Sequence, residues 1–209
     1  MQIKWLNKNN NSKLIVFING WGMDENVVNH LEFNEFDVLT ICDYNKIEPI
    51  EIDFSKYDEK NLICWSMGVF VANLFYEKFN DFDNIVAING TQKPIDDNWG
   101  IPENIYNLMI DNFNEQTVSR FIKKMTLSDV LSNFRTRNNE ELKQELISIK
   151  NLKTSNYLTF NKAIISTKDR IIPYKNQINY WNTQNILIIE KDLPHYIFNE
   201  YKNWSELLW

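Results

Sequence analysis

Six short apolar runs, separated by stretches of helical spacing, constrain this chain more than any other feature. They are KLIVFING (Lys13–Gly20), FDVLTIC (Phe36–Cys42), NLICWS (Asn61–Ser66), NIVAING (Asn84–Gly90), KAIIST (Lys162–Thr167) and NILIIE (Asn185–Glu190). Each is nearly continuous in apolar residues, whereas a strand with one wet face alternates. Strands read this way when helices cover both faces of a mostly parallel sheet. QIKWL, near the start, is a candidate edge strand. Helical patterns lie between the runs: Met67–Phe79, then PYKNQINYW and HYIFNEYKNWSELLW after the last two strands. This alternation predicts the α/β class, with a doubly wound sheet of about six strands.

One region breaks the rhythm. From Ile95 to Tyr157 no segment reads as a strand, while PENIYNLMIDNF, QTVSRFIKKM and NNEELKQELISIKNLK each read as a helix. A stretch of about 60 residues far exceeds the ~2–6 of an ordinary αβ connection. The expected organisation is a core of residues 1–95 and 158–209, interrupted by a helical lid, residues 96–157, lying over the sheet. With 44% apolar and 14% aromatic residues, a chain of 209 can bury a real core in one such domain.

Composition narrows the partners. A formal charge of −6 argues against nucleic acid, which needs a basic face. No run approaches the ~18 apolar residues of a membrane-spanning helix. The opening MQIKWLNKNNNSK lacks the apolar stretch of a signal peptide. The expectation is a soluble, cytoplasmic monomer without a membrane partner. Cys42 and Cys64 make no disulfide framework. The strand Lys13–Gly20 is expected to run between them, which separates them by about 10 Å and puts a disulfide out of reach. Two cysteines and two distant histidines, His30 and His195, build no metal cluster, which leaves carboxylate sites open.

The chemistry centres on ICWSMGVFVA (Ile63–Ala72), where an apolar run stops at Ser66 and a helical run begins at once. Such a serine is either a helix N-cap or a nucleophile on a strained strand–helix elbow. A nucleophile needs a base, the base an orienting acceptor, and the developing charge a pair of donors. On an open α/β sheet these converge at the carboxyl ends of the strands. The elbow pattern G-x-S-x-G is half kept: Gly68 is present and Cys64 stands where the first glycine would be. The Met67 amide, at the helix start, is one candidate donor. FINGWGMD after the first strong strand supplies the other, the Trp21 amide between Gly20 and Gly22, with its indole as a pocket wall. Asp169 in STKDRIIP follows a strand end and is the candidate acid. His195 in KDLPHYIF follows the last strand, at the start of the final helix, and is the candidate base. His30, in the first helical segment, is the rival base. Asp192 is the rival acid, better read as a turn residue. Cys64 as nucleophile is a weaker reading than Cys64 as a small core residue.

These residues, in the order Ser66, Asp169, His195, resemble the α/β-hydrolase superfamily. FINGWGMD with ICWSMG, a small lid and a PH near the end are similar, over the whole chain, to the BioG-type esterases. That resemblance implies hydrolysis of the methyl ester of a pimeloyl group on acyl-carrier protein, in biotin synthesis. Ser66 would be nucleophile, His195 base and acid, and Asp169 its orienter, with the amides of Trp21 and Met67 on the oxyanion and no metal or cofactor needed. The chain departs from the pattern at Asn19, where many relatives have histidine, and at Cys64.

Charge along the insert is uneven. Residues 96–115 hold five acidic side chains and no Lys or Arg; residues 116–137 hold Arg120, Lys123, Lys124, Arg135 and Arg137 against Asp129 alone. Arg120, Lys123 and Lys124 share a helical face. The basic stretch is either a solvated face or a docking patch for the acidic carrier protein. Tyr106, Met109 and Phe121 either close a tunnel over the acyl chain or form lid core. Two other functions stay open: an esterase or thioesterase for a different acyl group, and a catalytically inactive binding module.

Overall fold

In the computed structural model, which describes residues 1–126 and 137–208, the apolar runs lie side by side. Strands β1 (Gln2–Asn7), β2 (Lys13–Ile18), β3 (Phe36–Cys42), β4 (Glu59–Trp65), β5 (Asn84–Ile88), β6 (Lys162–Ser166) and β7 (Leu187–Lys191) form one sheet in the order β1-β3-β2-β4-β5-β6-β7. QIKWL becomes β1, antiparallel to β3, and every other pair is parallel. In the inner strands continuous apolarity has the expected cause, whereas the edge strand β7 is not buried on both faces and leaves Leu187 exposed. In β2, Leu14, Val16 and Ile18 enter one core while Ile15 and Phe17 enter the other, so neither face meets water. Ile18 pairs with Ile41 on one side and Cys64 on the other, so β2 separates Cys42 and Cys64, both free and buried. Burial pushes the Cys42 thiol up to about 12.

Two helical expectations fail for identifiable reasons. Met67–Phe79 is not one helix but α1 (Gly68–Val71), a 3₁₀ turn (Ala72–Phe75) and α2 (Tyr76–Phe79). Asn73 disturbs it. Its amide donates back to the carbonyls of Val69 and Phe70 at 3.1 and 3.0 Å, while its oxygen accepts from Leu158 N and Gln92 Nε2. A side chain that competes with the helical ladder in this way weakens it. The segment from His195 onward also forms only 3₁₀ turns, Phe198–Glu200 and Trp204–Leu207. There Glu32 exchanges backbone hydrogen bonds with Lys202 and Trp204, and Phe198 and Trp204 both pack edge-on to Phe17. Packing against the sheet overrides helical spacing.

The described part of the insert is helical, as expected: α3 (Glu103–Asp111), α4 (Glu115–Met125) and α5 (Asn139–Asn151). Asn114 caps α4 and Asn138 forms a reciprocal capping box with Glu141 on α5. Helix α5 is tied to the core: Trp21 Nε1 donates to Leu142 O at 2.9 Å and Ser148 Oγ to Tyr44 O at 2.7 Å. Helix α6 (Tyr174–Trp181) follows β6. Among the described residues no helix is long and apolar enough to cross a membrane.

Candidate active site

Ser66 is not an N-cap. It sits at φ +56°, in the left-handed region that a side chain adopts at a cost, and α1 starts only at Gly68. The chain turns here because neighbouring backbones lie very close. A Cβ on Gly68 would lie 2.3 Å from Ile18 O, and one on Gly90 would lie 2.3 Å from Ser66 O. Cys64, two residues earlier, is a fully buried member of β4 paired with Ile18 and Ala87, so it is a core residue.

The three predicted side chains meet. His195 Nε2 lies 2.9 Å from Ser66 Oγ, and His195 Nδ1 lies 2.7 Å from Asp169 Oδ2. All three residues are buried. An ionised carboxylate only accepts, so Nδ1 carries the ring proton and Nε2 presents its lone pair to the Ser66 hydroxyl. Asp169 is itself fixed. Its Oδ1 accepts the amides of Ile171 and Ile172 at 2.8 and 3.0 Å, and its Oδ2 accepts Gln177 Nε2 at 2.9 Å. The rivals fall away. Asp192 is exposed and held by Lys168, whose ammonium, with the Thr167 hydroxyl, lowers its pKa. His30 Nε2 bonds instead to a backbone carbonyl, that of Phe198.

Sequence reasoning missed the residues that hold the histidine loop. Asn89, at φ +44° just past β5, donates to His195 O at 2.8 Å and to Ser166 Oγ at 2.8 Å, and accepts from Ser166 N at 2.7 Å. Trp65 Nε1 donates to the same His195 carbonyl at 3.1 Å. Two signals pointed there: an asparagine just before a glycine at a strand end, and a tryptophan beside the elbow serine.

The Gly20–Gly22 loop packs against Ser66, since a Cβ on Gly20 would be 3.2 Å from Ser66 Cβ. Asn19 ties the loop down, accepting from Gly20 N at 2.9 Å and donating to Asp24 O at 2.7 Å. The Trp21 indole is buried, edge-on to Phe121 at 4.8 Å between ring centres. Among the described residues neither the Trp21 nor the Met67 amide donates to a protein acceptor. A cavity of about 260 Å³ opens between α3, α4 and the loop after β6, lined by Tyr106, Met109 and Phe121 and rimmed by Arg120, Lys124 and Arg170.

The basic patch is smaller than expected. Arg120, Lys123 and Lys124 are exposed on α4. Arg137 is not part of that surface: its side chain is only 11% exposed, and its guanidinium reaches inward to Glu145 at 2.5 Å and Asp43 at 2.7 Å. A buried carboxylate captures the arginine because leaving either charge unpaired away from water is costly. Arg135 lies outside the described residues.

Residues 1–207 match the family described as pimeloyl-ACP methyl esterase BioG. The chain belongs to this family. The crystal structure of BioG from Haemophilus influenzae superposes with a TM-score of 0.91 at 29% identity, over 100% of both chains. A malonyl-[acyl-carrier protein] O-methyltransferase of Bacteroides fragilis is 35% identical over 192 residues, which are 87% of this chain but only 39% of that protein. An esterase from Exiguobacterium antarcticum shares the fold alone, with a TM-score of 0.69 at 11% identity over 95% of this chain and 89% of its own. The fold is that of the α/β-hydrolases, and membership of the BioG family makes the chain a carboxylic ester hydrolase.

Proposed function

We propose that this chain is a serine esterase that removes the methyl group from pimeloyl-acyl-carrier-protein methyl ester, in biotin synthesis. The observation that carries the reading is the continuous hydrogen-bond path from Ser66 through His195 to Asp169, starting from a serine held at positive φ. Ser66 Oγ attacks the terminal ester carbonyl while its proton passes to His195 Nε2. The oxyanion takes the backbone amides of Trp21 and Met67. Collapse of the tetrahedral intermediate breaks the carbonyl–methoxy bond, and the imidazolium protonates the departing oxygen to give methanol. Water, deprotonated by His195, then attacks the acyl-serine, and Ser66 recovers its proton as the free carboxylate leaves.

The carrier is proposed to dock at Arg120, Lys123 and Lys124, where a basic face stands out on an acidic protein. The adjoining apolar cavity suits an acyl or pantetheine chain. The name of the B. fragilis relative fits this scheme, because a methyl ester made on a carrier needs a later hydrolysis to free the acid.

Mass spectrometry of the carrier tests the substrate. Incubation should remove one methylene from the pimeloyl methyl ester, and Ser66→Ala should abolish the change. Fluorophosphonate labelling of Ser66 without loss of methylene would keep the hydrolase and reject this substrate. Absence of both would reject the catalytic reading. Charge reversal at Arg120 and Lys124 should slow turnover of the carrier-bound ester, most at low salt; unchanged turnover across salt would reject docking there.

A further inference from the structure

Glu145 is a buried carboxylate that the proposed chemistry does not use. It lies on α5, in the insert, and is fully buried. Burial raises its pKa, against the pull of Arg137. Its Oε1 accepts the Tyr44 amide at 2.9 Å, and its Oε2 accepts the Gly22 amide at 3.1 Å together with the Arg137 guanidinium. The first of these amides follows β3 and the second lies in the loop after β2. One side chain from the insert therefore holds the ends of two core strands.

The Gly22 bond matters because of its neighbour. The peptide before Gly20 is fixed by Gly20 N on Asn19 Oδ1, and the peptide after Trp21 by Gly22 N on Glu145. Leu142, one turn before Glu145 on α5, accepts the Trp21 indole. The Trp21 amide thus sits between two pinned peptides, beside a pinned side chain, in a loop packed against Ser66. Gly22, at φ +72°, gives that loop a conformation other residues resist.

We infer that Glu145 is a positioning residue for the oxyanion donor: the insert sets the Trp21 amide through Gly22 and Leu142, and the Arg137 guanidinium, bonded to the same carboxylate oxygen as Gly22 N, holds that carboxylate in place. This rests on the esterase reading and extends it. Helix α5 is, on this view, a fixed part of the active site and not a swinging flap.

The test uses the whole protein and a short aryl ester, with fluorophosphonate titration to count working sites. Glu145→Gln keeps one acceptor oxygen and loses the charge. Its kcat per labelled site should fall about 10- to 100-fold, below the ~100- to 1,000-fold loss of a whole oxyanion donor, with KM nearly unchanged. The inhibition constant of a trifluoromethyl ketone, which binds as an oxyanion, should rise by the same factor. Glu145→Ala with Arg137→Met removes both charges, so thermal stability should recover while kcat stays low. Recovery of kcat together with stability, or an unchanged kcat per labelled site in Glu145→Gln, would reduce Glu145 to a structural role. Failure of the wild-type protein to label or to hydrolyse any ester would instead remove the esterase reading, and this inference with it.

Discussion

Replacing Asp169 with asparagine changes one oxygen to an NH₂ group and almost nothing in volume, so its consequences follow from hydrogen bonding alone. The Asn oxygen will occupy the Oδ1 position, where two backbone amides, of Ile171 and Ile172, demand an acceptor. The NH₂ then takes the Oδ2 position, facing two donors: Gln177 Nε2 at 2.9 Å and His195 Nδ1 at 2.7 Å. Gln177 can turn its amide to present Oε1, which has no partner, but it then loses its bond to Ile172 O. His195 can relieve the other clash only by moving its proton to Nε2. That nitrogen then points an N–H at Ser66 Oγ and cannot take the hydroxyl proton. The loss is of the order of 10³- to 10⁴-fold in kcat, about 4–5.5 kcal/mol at 1.36 kcal/mol per decade. KM should move little, because Asp169 lies behind the ring. Steady-state hydrolysis of an aryl ester measures both constants, with Asp192→Asn as the control that should stay within about twofold, since Asp192 is exposed and bonds to Lys168 and Thr167. A kcat for Asp169→Asn within tenfold of wild type would refute the assignment of acid and tautomer together.

Gly68→Ala should destabilise the protein by about 1–3 kcal/mol, a fall in melting temperature of roughly 2–12 °C for a chain this size, because its Cβ would press on two backbone carbonyls, those of Ile18 and Asn19; a melting temperature unchanged in calorimetry would mean the elbow is looser than its geometry. Asn89→Gly tolerates the positive φ but frees the His195 carbonyl from the Asn89 donor, so aryl-ester kcat should fall about 5- to 160-fold, the ~1–3 kcal/mol of an unmade buried hydrogen bond; equal activity would leave Trp65 as the sufficient anchor. Lys162→Met should stabilise by about 1–4 kcal/mol, since the Lys162 amine is buried on β6 with no hydrogen-bond partner among the described residues and burial lowers its pKa. The unfolded chain keeps that proton up to the ordinary 10.5, so wild type gains stability as pH rises from the lowered value towards 10.5, and the advantage of methionine should shrink over that window. A pH-independent difference in denaturant midpoints would count against a charged, unpaired lysine.

Much of this fold is legible in residue order because a strand buried on both faces leaves a continuous apolar trace. β3 matches its run residue for residue, and the other runs overshoot or fall short only at their ends. Helices were less legible wherever a polar side chain or an aromatic made a distant contact. Asn73 reads as a polar position in a helix, yet its bonds to Gln92 and Leu158 break that helix into turns. Ser66, Asp169 and His195 stood out because each follows its own strand. The anchors Asn89, Gln177 and Glu145 did not, since an asparagine near a turn or an acid within a helix has many ordinary explanations. Arg137 shows the same limit from the other side: its charge invited a surface role, and only the packing of α5 reveals the carboxylate that draws it inward.

The sheet order explains why the site needs those anchors. Ser66 follows β4 and Asp169 follows β6, with β5 between them. Two strand spacings are about 10 Å, too far for a carboxylate to act on a hydroxyl directly. An imidazole with a hydrogen bond at each end, here of 2.7 and 2.9 Å, spans such a gap only if its own backbone is held over the intervening strand. His195 arrives from beyond β7, the edge of the sheet, and must reach back across two strands. The residue at the end of β5 is the one in position to catch it. Asn89 does so at a backbone angle that few residues besides glycine and asparagine accept, and its amide joins the β6 end, through Ser166, to the His195 carbonyl. Trp65, one residue before the serine, secures the same carbonyl from β4. The bridge over β5 is thus bolted to the strands on which its two partners stand, so a shift of either strand end carries the histidine with it.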